Sequence, residues 1–113
     1  MTAVSAYGLL AVAILAEITA TIALKAANGM TRIGPMAIVA IGYALSFWLL
    51  SVSLQRFPIS LVYSVWAGLG MAGAAIGGWW LFGEALAPSA LFGIAIIALG
   101  VFILASAMEP SAA

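Results

Sequence analysis

The sequence predicts an all-α integral membrane protein: four transmembrane helices forming a single domain over residues 1–113. Three observations carry this. The chain is 67% hydrophobic and only 5% charged, whereas an average soluble domain is about a quarter charged. Too little polar surface is left to cover the molecule in water. Four stretches come close to the roughly 20 apolar residues that a spanning helix needs. Turn-forming residues separate them.

The first helix is expected over about residues 6–24. It is followed by Lys25, Asn28-Gly29, Arg32 and Gly34-Pro35, a run of turn signals with two basic residues. The second is expected over about 34–54 and ends at Gln55-Arg56-Phe57-Pro58. Pro58 suits the first turn of the third helix, about 59–82, where a missing N–H costs nothing. Gly83-Glu84-Ala85-Leu86-Ala87-Pro88 separates it from the fourth, about 87–107. Connections this short make neighbouring helices antiparallel. The tail after Ala107 is small and expected to fray. Met1-Thr2-Ala3-Val4-Ser5 carries no basic side chain and the first apolar stretch is too long for an h-region, so a secretory signal peptide is not expected.

Four spans place both termini and the Arg56 loop on one side, with the Lys25/Arg32 loop and the Glu84 loop on the other. Lys and Arg in short loops set orientation, and here the tally is one against two. Two readings follow: a single orientation with the first loop inside, or dual topology with copies inserted both ways and paired antiparallel. One four-helix bundle can hardly enclose a solute-sized cavity while shielding a charge from lipid. Two copies can, which argues for a homodimer.

The exclusions are equally direct. There is no Cys and no His, which removes disulfides, thiol chemistry and the commonest metal ligands. The net charge is zero, so a nucleic-acid partner has no electrostatic footprint. No phosphate loop, nucleophile–base pair or metal cluster is present. The chain is not expected to be an enzyme or to hold a cofactor or metal, and energy for any work would come from a gradient.

Glu17 is the only carboxylate inside the apolar stretches. A carboxylate at bilayer depth costs a few kcal/mol on insertion scales, about 2.5–3.5 for Asp. A proton, a cation or a structural partner are its candidate users. No Lys or Arg lies within the four spans, and Lys25 is eight residues on, about 12 Å at 1.5 Å per residue. Leu10, Ala13, Ile14, Ala20, Thr21 and Leu24 share its helix face. Small Ala13, Ala20 and Thr21 give the carboxylate either open space or a close helix.

Tyr43 and Phe47 form an i, i+4 pair on the second helix, and Tyr63 and Trp66 an i, i+3 pair on the third. Aromatic faces attract cations, although packing or lipid contact is the plainer role. A tyrosine hydroxyl at depth needs a partner, and Glu17 is the obvious acceptor. Trp48, Trp79 and Trp80 lie nearer span ends and read as interface anchors. Gly68 and Gly70 stand in mid third helix, where glycine permits either a hinge or close packing. Gly93, Ile97 and Gly100 form a stripe on the fourth helix that reads as a packing seam, between subunits or within one.

With these residues in hand, the chain resembles the small multidrug resistance family of bacterial proton-coupled exporters. The resemblance rests on Ala16-Glu17, Leu24-Lys25, Asn28-Gly29-Met30-Thr31-Arg32, Ser46-Phe47-Trp48-Leu49-Leu50, the run from Pro58 and Ile59 through Tyr63 and Trp66 to Gly68-Leu69-Gly70, and Phe82-Gly83-Glu84. It covers essentially the whole chain. It implies an antiparallel, dual-topology homodimer of four-helix subunits in the bacterial inner membrane. It also implies exchange of protons for small organic cations, with Glu17 binding both in competition. Tyr63 and Trp66 match pocket aromatics, and Tyr43, Ser46 and Phe47 match second-helix positions near the pocket. Gly68 and Gly70 match a bend, and Gly93 to Val101 a dimer contact. One branch of the family exports aromatic or quaternary ammonium cations, the other guanidinium. The guanidinium branch typically has Trp where this chain has Ala20, which favours the drug-exporting branch and leaves room for bulkier cations. Gly73-Ala74-Ala75-Ile76, Gly83-Glu84 and Thr21-Ile22 depart from that branch's usual pattern. Export of guanidinium or another small cation is the alternative, and a non-transporting membrane partner subunit is a third reading.

Overall fold

A computed structural model describes residues 3–108. The expected tail beyond Met108 lies outside the described residues. The helices are α1 (Ala3–Ala26), α2 (Ile33–Ser53), α3 (Ile59–Phe82) and α4 (Pro88–Ala107). They are 20 to 24 residues long, and at about 1.5 Å per residue each can cross a hydrocarbon core of about 30 Å. All four are long and apolar enough to span. In lipid the backbone must bond to itself, which is why apolar runs of this length become helices. Several side-chain hydroxyls follow the same rule. Thr19, Ser53, Ser64 and Ser106 each donate to the carbonyl four residues back, at 2.7–2.9 Å.

The chain divides into two compact units, residues 1–53 with α1 and α2, and residues 54–113 with α3 and α4. In the first, α1 runs into a tight reversal. Asn28, Gly29 and Met30 all adopt left-handed backbone, with φ of 52°, 71° and 66°. The Thr31 N–H returns to the Ala27 carbonyl at 2.9 Å, and the Thr31 hydroxyl donates to the Asn28 carbonyl at 2.7 Å. The Arg32 guanidinium donates to the Ala26 carbonyl at 3.3 Å. With Lys25 in the last turn, this places positive charge at the negative end of α1.

The α1–α2 crossing is close at one point. A Cβ added to Gly42 would lie 2.8 Å from the Ala20 Cβ and 3.1 Å from the Ala16 carbonyl oxygen. Only glycine allows that approach. On α2 the buried side chains are Val39, Ser46, Leu49 and Ser53, a stripe at alternating spacings of seven, three and four residues that flanks Gly42.

In the second unit Pro58 stands at the N-cap of α3, and its carbonyl accepts the Val62 N–H at 3.1 Å. Gly83 ends α3 in left-handed conformation (φ 66°), and the Glu84 N–H closes back on the Gly78 carbonyl at 3.1 Å, a glycine-terminated cap. Pro88 then opens α4. The Ser60 hydroxyl donates to the Met108 sulfur at 3.3 Å, joining the start of α3 to the end of α4 as an antiparallel hairpin requires. At mid-depth the Val101 and Ile97 methyls cover Gly68, where an added Cβ would meet them at 2.6 and 3.3 Å. Beside that contact lies an apolar cleft of about 320 Å³ between α3 and α4, bordered by Ala72, Ile94, Ala98 and Ala105.

α4 carries no buried residue, and Phe92, Phe102, Leu99 and Ile103 are more than half exposed. In water such a surface would drive aggregation. In a bilayer it faces a solvent as apolar as itself.

Candidate functional site

Glu17 lies in the middle of α1 and is half-buried. Thr21, one turn on, also half-buried, donates its hydroxyl to Glu17 Oε1 at 3.0 Å. Where Thr19, Ser46, Ser53, Ser64 and Ser106 donate to backbone carbonyls, this one serves a carboxylate. Thr21 Oγ1 also meets the Tyr43 hydroxyl of α2 at 2.8 Å. The Tyr43 ring stacks on Phe47, with centroids 6.1 Å apart and planes at 19°. A carboxylate, two hydroxyls and two aromatic rings thus form one continuous group on the α1–α2 pair. Its chemistry suits an organic cation: a countercharge, polar acceptors and π faces. Tyr43 does reach Glu17, but through Thr21 and not directly as expected.

The remaining expected site residues divide by location. Ala13, Ala20 and Ser46 are each fully buried. Ala20 meets Gly42, so its small size permits the helix crossing, the close-helix reading of the small residues around Glu17. The Ser46 hydroxyl donates to the Tyr43 carbonyl at 2.9 Å, steadying the turn that carries Tyr43. Of the residues expected to share the Glu17 face, Leu10 and Ile14 are buried and Leu24 is exposed. Phe47 is exposed.

Tyr63 and Trp66 belong to α3 in the second unit, with Tyr63 73% exposed and Trp66 half-buried. Gly68 is buried under Val101 and Ile97, whereas Gly70 is half-buried. Ile97 therefore has a contact within its own chain. Gly93 and Gly100 have nothing within 4 Å of an added Cβ and leave α4 open at those points. Among the described residues no group of three His, Cys, Asp or Glu side chains could hold a metal ion.

Gly42 is the residue the sequence reading missed. It precedes Tyr43 and lets α2 come close enough for the Tyr43 hydroxyl to reach Thr21. A signal was available: Gly42, Ser46 and Ser53 are small residues four and seven apart on one helix face.

Comparison with known proteins identifies the family. The family model described as "Small Multidrug Resistance protein" matches residues 5–97. The chain is 42% identical over 95 residues to the quaternary ammonium compound-resistance protein QacF of Klebsiella aerogenes, covering 84% of this chain and 86% of the relative. It is 39% identical over 95 residues to the quaternary ammonium compound-resistance protein QacE of Escherichia coli, with the same coverage. To the multidrug transporter PA4990 of Pseudomonas aeruginosa it is 38% identical over 98 residues, 87% of this chain and 89% of the relative.

Proposed function

The chain belongs to the Small Multidrug Resistance family, and from that membership we propose that it is a proton-coupled antiporter exporting hydrophobic organic cations, quaternary ammonium and aromatic ones among them. As a member it is a multi-pass protein of the bacterial inner membrane. The observation that carries the proposal is Glu17, the only carboxylate in the four spans, held by Thr21 beside the Tyr43–Phe47 stack. The names of the relatives, two quaternary ammonium compound-resistance proteins and a multidrug transporter, support the substrate class.

Ionised Glu17 supplies the countercharge that a lipophilic cation needs at bilayer depth, where an unpaired charge is costly. The Tyr43 and Phe47 faces add cation–π attraction. The family resemblance assigns Tyr63 and Trp66 to the same cation, with Ala13, Ala20 and Ser46 near it. Protonation of Glu17 removes the countercharge, so proton and cation compete, and an inward proton gradient drives cation efflux. The four helices act as one domain, and two copies in opposite orientations share one chamber. In this reading Gly68 and Gly70 of α3 absorb the change of access, and Gly93, Ile97 and Gly100 of α4 form the contact between copies.

The test is transport in proteoliposomes with an imposed pH gradient, combined with binding across pH. Tetraphenylphosphonium should bind tightly at high pH and weakly at low pH, and Glu17→Gln should abolish gradient-driven export. Export against a gradient by Glu17→Gln would overturn the mechanism. Binding of guanidinium alone would change the substrate class, and binding of neither cation would turn the reading to a membrane partner subunit.

A further inference from the structure

We infer that Thr21 is a positioning residue that transmits the protonation state of Glu17 to the hydrogen-bonding sense of the Tyr43 hydroxyl, so that the site distinguishes cations that carry N–H groups from those that do not. The inference rests on the reading of Glu17 as the proton and cation site. It follows from counting hydrogens. Thr21 has one hydroxyl proton, and it is directed at Glu17 Oε1 at 3.0 Å. An ionised carboxylate can only accept. The 2.8 Å contact between Thr21 and Tyr43 must then be donated by Tyr43. With its proton turned towards Thr21, the tyrosine oxygen offers only lone pairs to a ligand. An N–H-bearing cation can donate to it, while a quaternary cation gains nothing from it.

When Glu17 takes a proton on Oε1, the sense reverses. The carboxylic acid donates to Thr21, Thr21 donates to Tyr43, and the Tyr43 proton turns outward. Each hydroxyl keeps its own hydrogen, and only the O–H directions change. An N–H-bearing cation now meets a donor where it had an acceptor. It loses a hydrogen bond in addition to the countercharge. A quaternary cation loses the countercharge alone. The geometry is held by the helix crossing, because Gly42, next to Tyr43, sits against Ala20, next to Thr21. The titratable side chains that could confound this are few. On α1 they are Tyr7 and Lys25, ten residues before and eight after Glu17, and on α2, which packs against α1, Tyr43 is the only one.

The experiment uses a matched pair of cations, benzylammonium and benzyltrimethylammonium, binding to the full-length protein at high and low pH. On lowering the pH, the wild-type affinity for benzylammonium should fall about tenfold or more beyond that for benzyltrimethylammonium, the effect of one hydrogen bond from a charged donor. In Thr21→Val and in Tyr43→Phe the two cations should fall equally, and Thr21→Ser should restore the wild-type difference. Equal falls in the wild type would overturn the inference.

A second measurement needs no cation and covers a variant that folds poorly. In protein labelled with 13C-tyrosine, the Tyr43 Cζ resonance should shift as Glu17 titrates. It should do so in Thr21→Ser but not in Glu17→Gln. A Tyr43 resonance unmoved by that titration would mean that the proton settles on Oε2 and the inference fails. If neither cation binds while the resonance does shift, the transport reading fails and the coupling stands.

Discussion

Gly42→Ala tests how tightly the α1–α2 crossing controls the Glu17 group. The new Cβ would lie 2.8 Å from the Ala20 Cβ, 3.1 Å from the Ala16 carbonyl oxygen and 3.4 Å from the Ala20 Cα. Carbon atoms prefer separations of about 3.5–4.0 Å, so the closest contact is about 1 Å too short. The opposing atoms are backbone and Cβ, which no rotamer change can move, so the helices must part. Tyr43 is the next residue, and a shift of most of an ångström takes its 2.8 Å bond to Thr21 beyond the useful O–H···O range of about 2.5–3.0 Å. Overpacking costs about 1–3 kcal/mol and the lost hydrogen bond about 1, while replacing a helical glycine by alanine returns about 1. The expected net loss is about 1–3 kcal/mol by that sum. Gly8→Ala is the control, because Gly8 is exposed on α1 with nothing within 4 Å of an added Cβ. It should show the propensity gain alone. Unfolding in mixed dodecylmaltoside and dodecyl sulfate micelles, followed by far-UV circular dichroism, gives both free energies. Adding Ala20→Gly to Gly42→Ala removes the 2.8 Å clash and should recover most of the loss. A Gly42→Ala protein as stable as Gly8→Ala, or no recovery in the double variant, would refute the argument.

Gly68→Ala should destabilise by about 1–2 kcal/mol through its 2.6 Å approach to the Val101 methyl. Val101→Ala should relieve it in the same unfolding assay. Gly83→Ala meets nothing within 4 Å but holds φ at 66°, so it should cost about 1–2 kcal/mol from backbone conformation alone, with Gly83→Asn costing less. Under the proposed mechanism Glu17→Gln removes the proton site, so any remaining tetraphenylphosphonium binding should be weak and flat with pH, as equilibrium dialysis at several pH values would show. A pH-dependent Glu17→Gln protein would place the titrating group elsewhere.

Much of the architecture was legible because in a membrane one physical demand dominates. Every backbone polar group must be satisfied within its own segment, so apolar length alone reveals four helices and Asn-Gly, Pro and Gly mark where they stop. Glu17 was legible for the opposite reason, as a single violation of that apolar rule. What lies between Glu17 and Tyr43 was not. Helical spacing placed Thr21 on the Glu17 face, but spacing within one helix does not say which residue of a second helix comes opposite. That register depends on the Gly42–Ala20 approach, a matter of a few ångströms between segments 22 residues apart. The same gap explains Ala20. A small side chain can leave a cavity or admit a neighbour, and only the position of α2 decides between them.

The Thr21–Tyr43 bridge also bears on how the chain enters the membrane during synthesis. A lone α1 leaving the ribosome would present Glu17 to lipid with Thr21 as its one polar neighbour a turn away. The reversal at Asn28-Gly29-Met30 brings α2 back within six residues of the end of α1. Tyr43 then completes the polar group before any later helix is made. The first hairpin thus carries its own solvation for the carboxylate, and its insertion penalty is smaller than that of α1 alone. Before Glu17 meets any ligand, Thr21 and Tyr43 make its own helix acceptable to the bilayer.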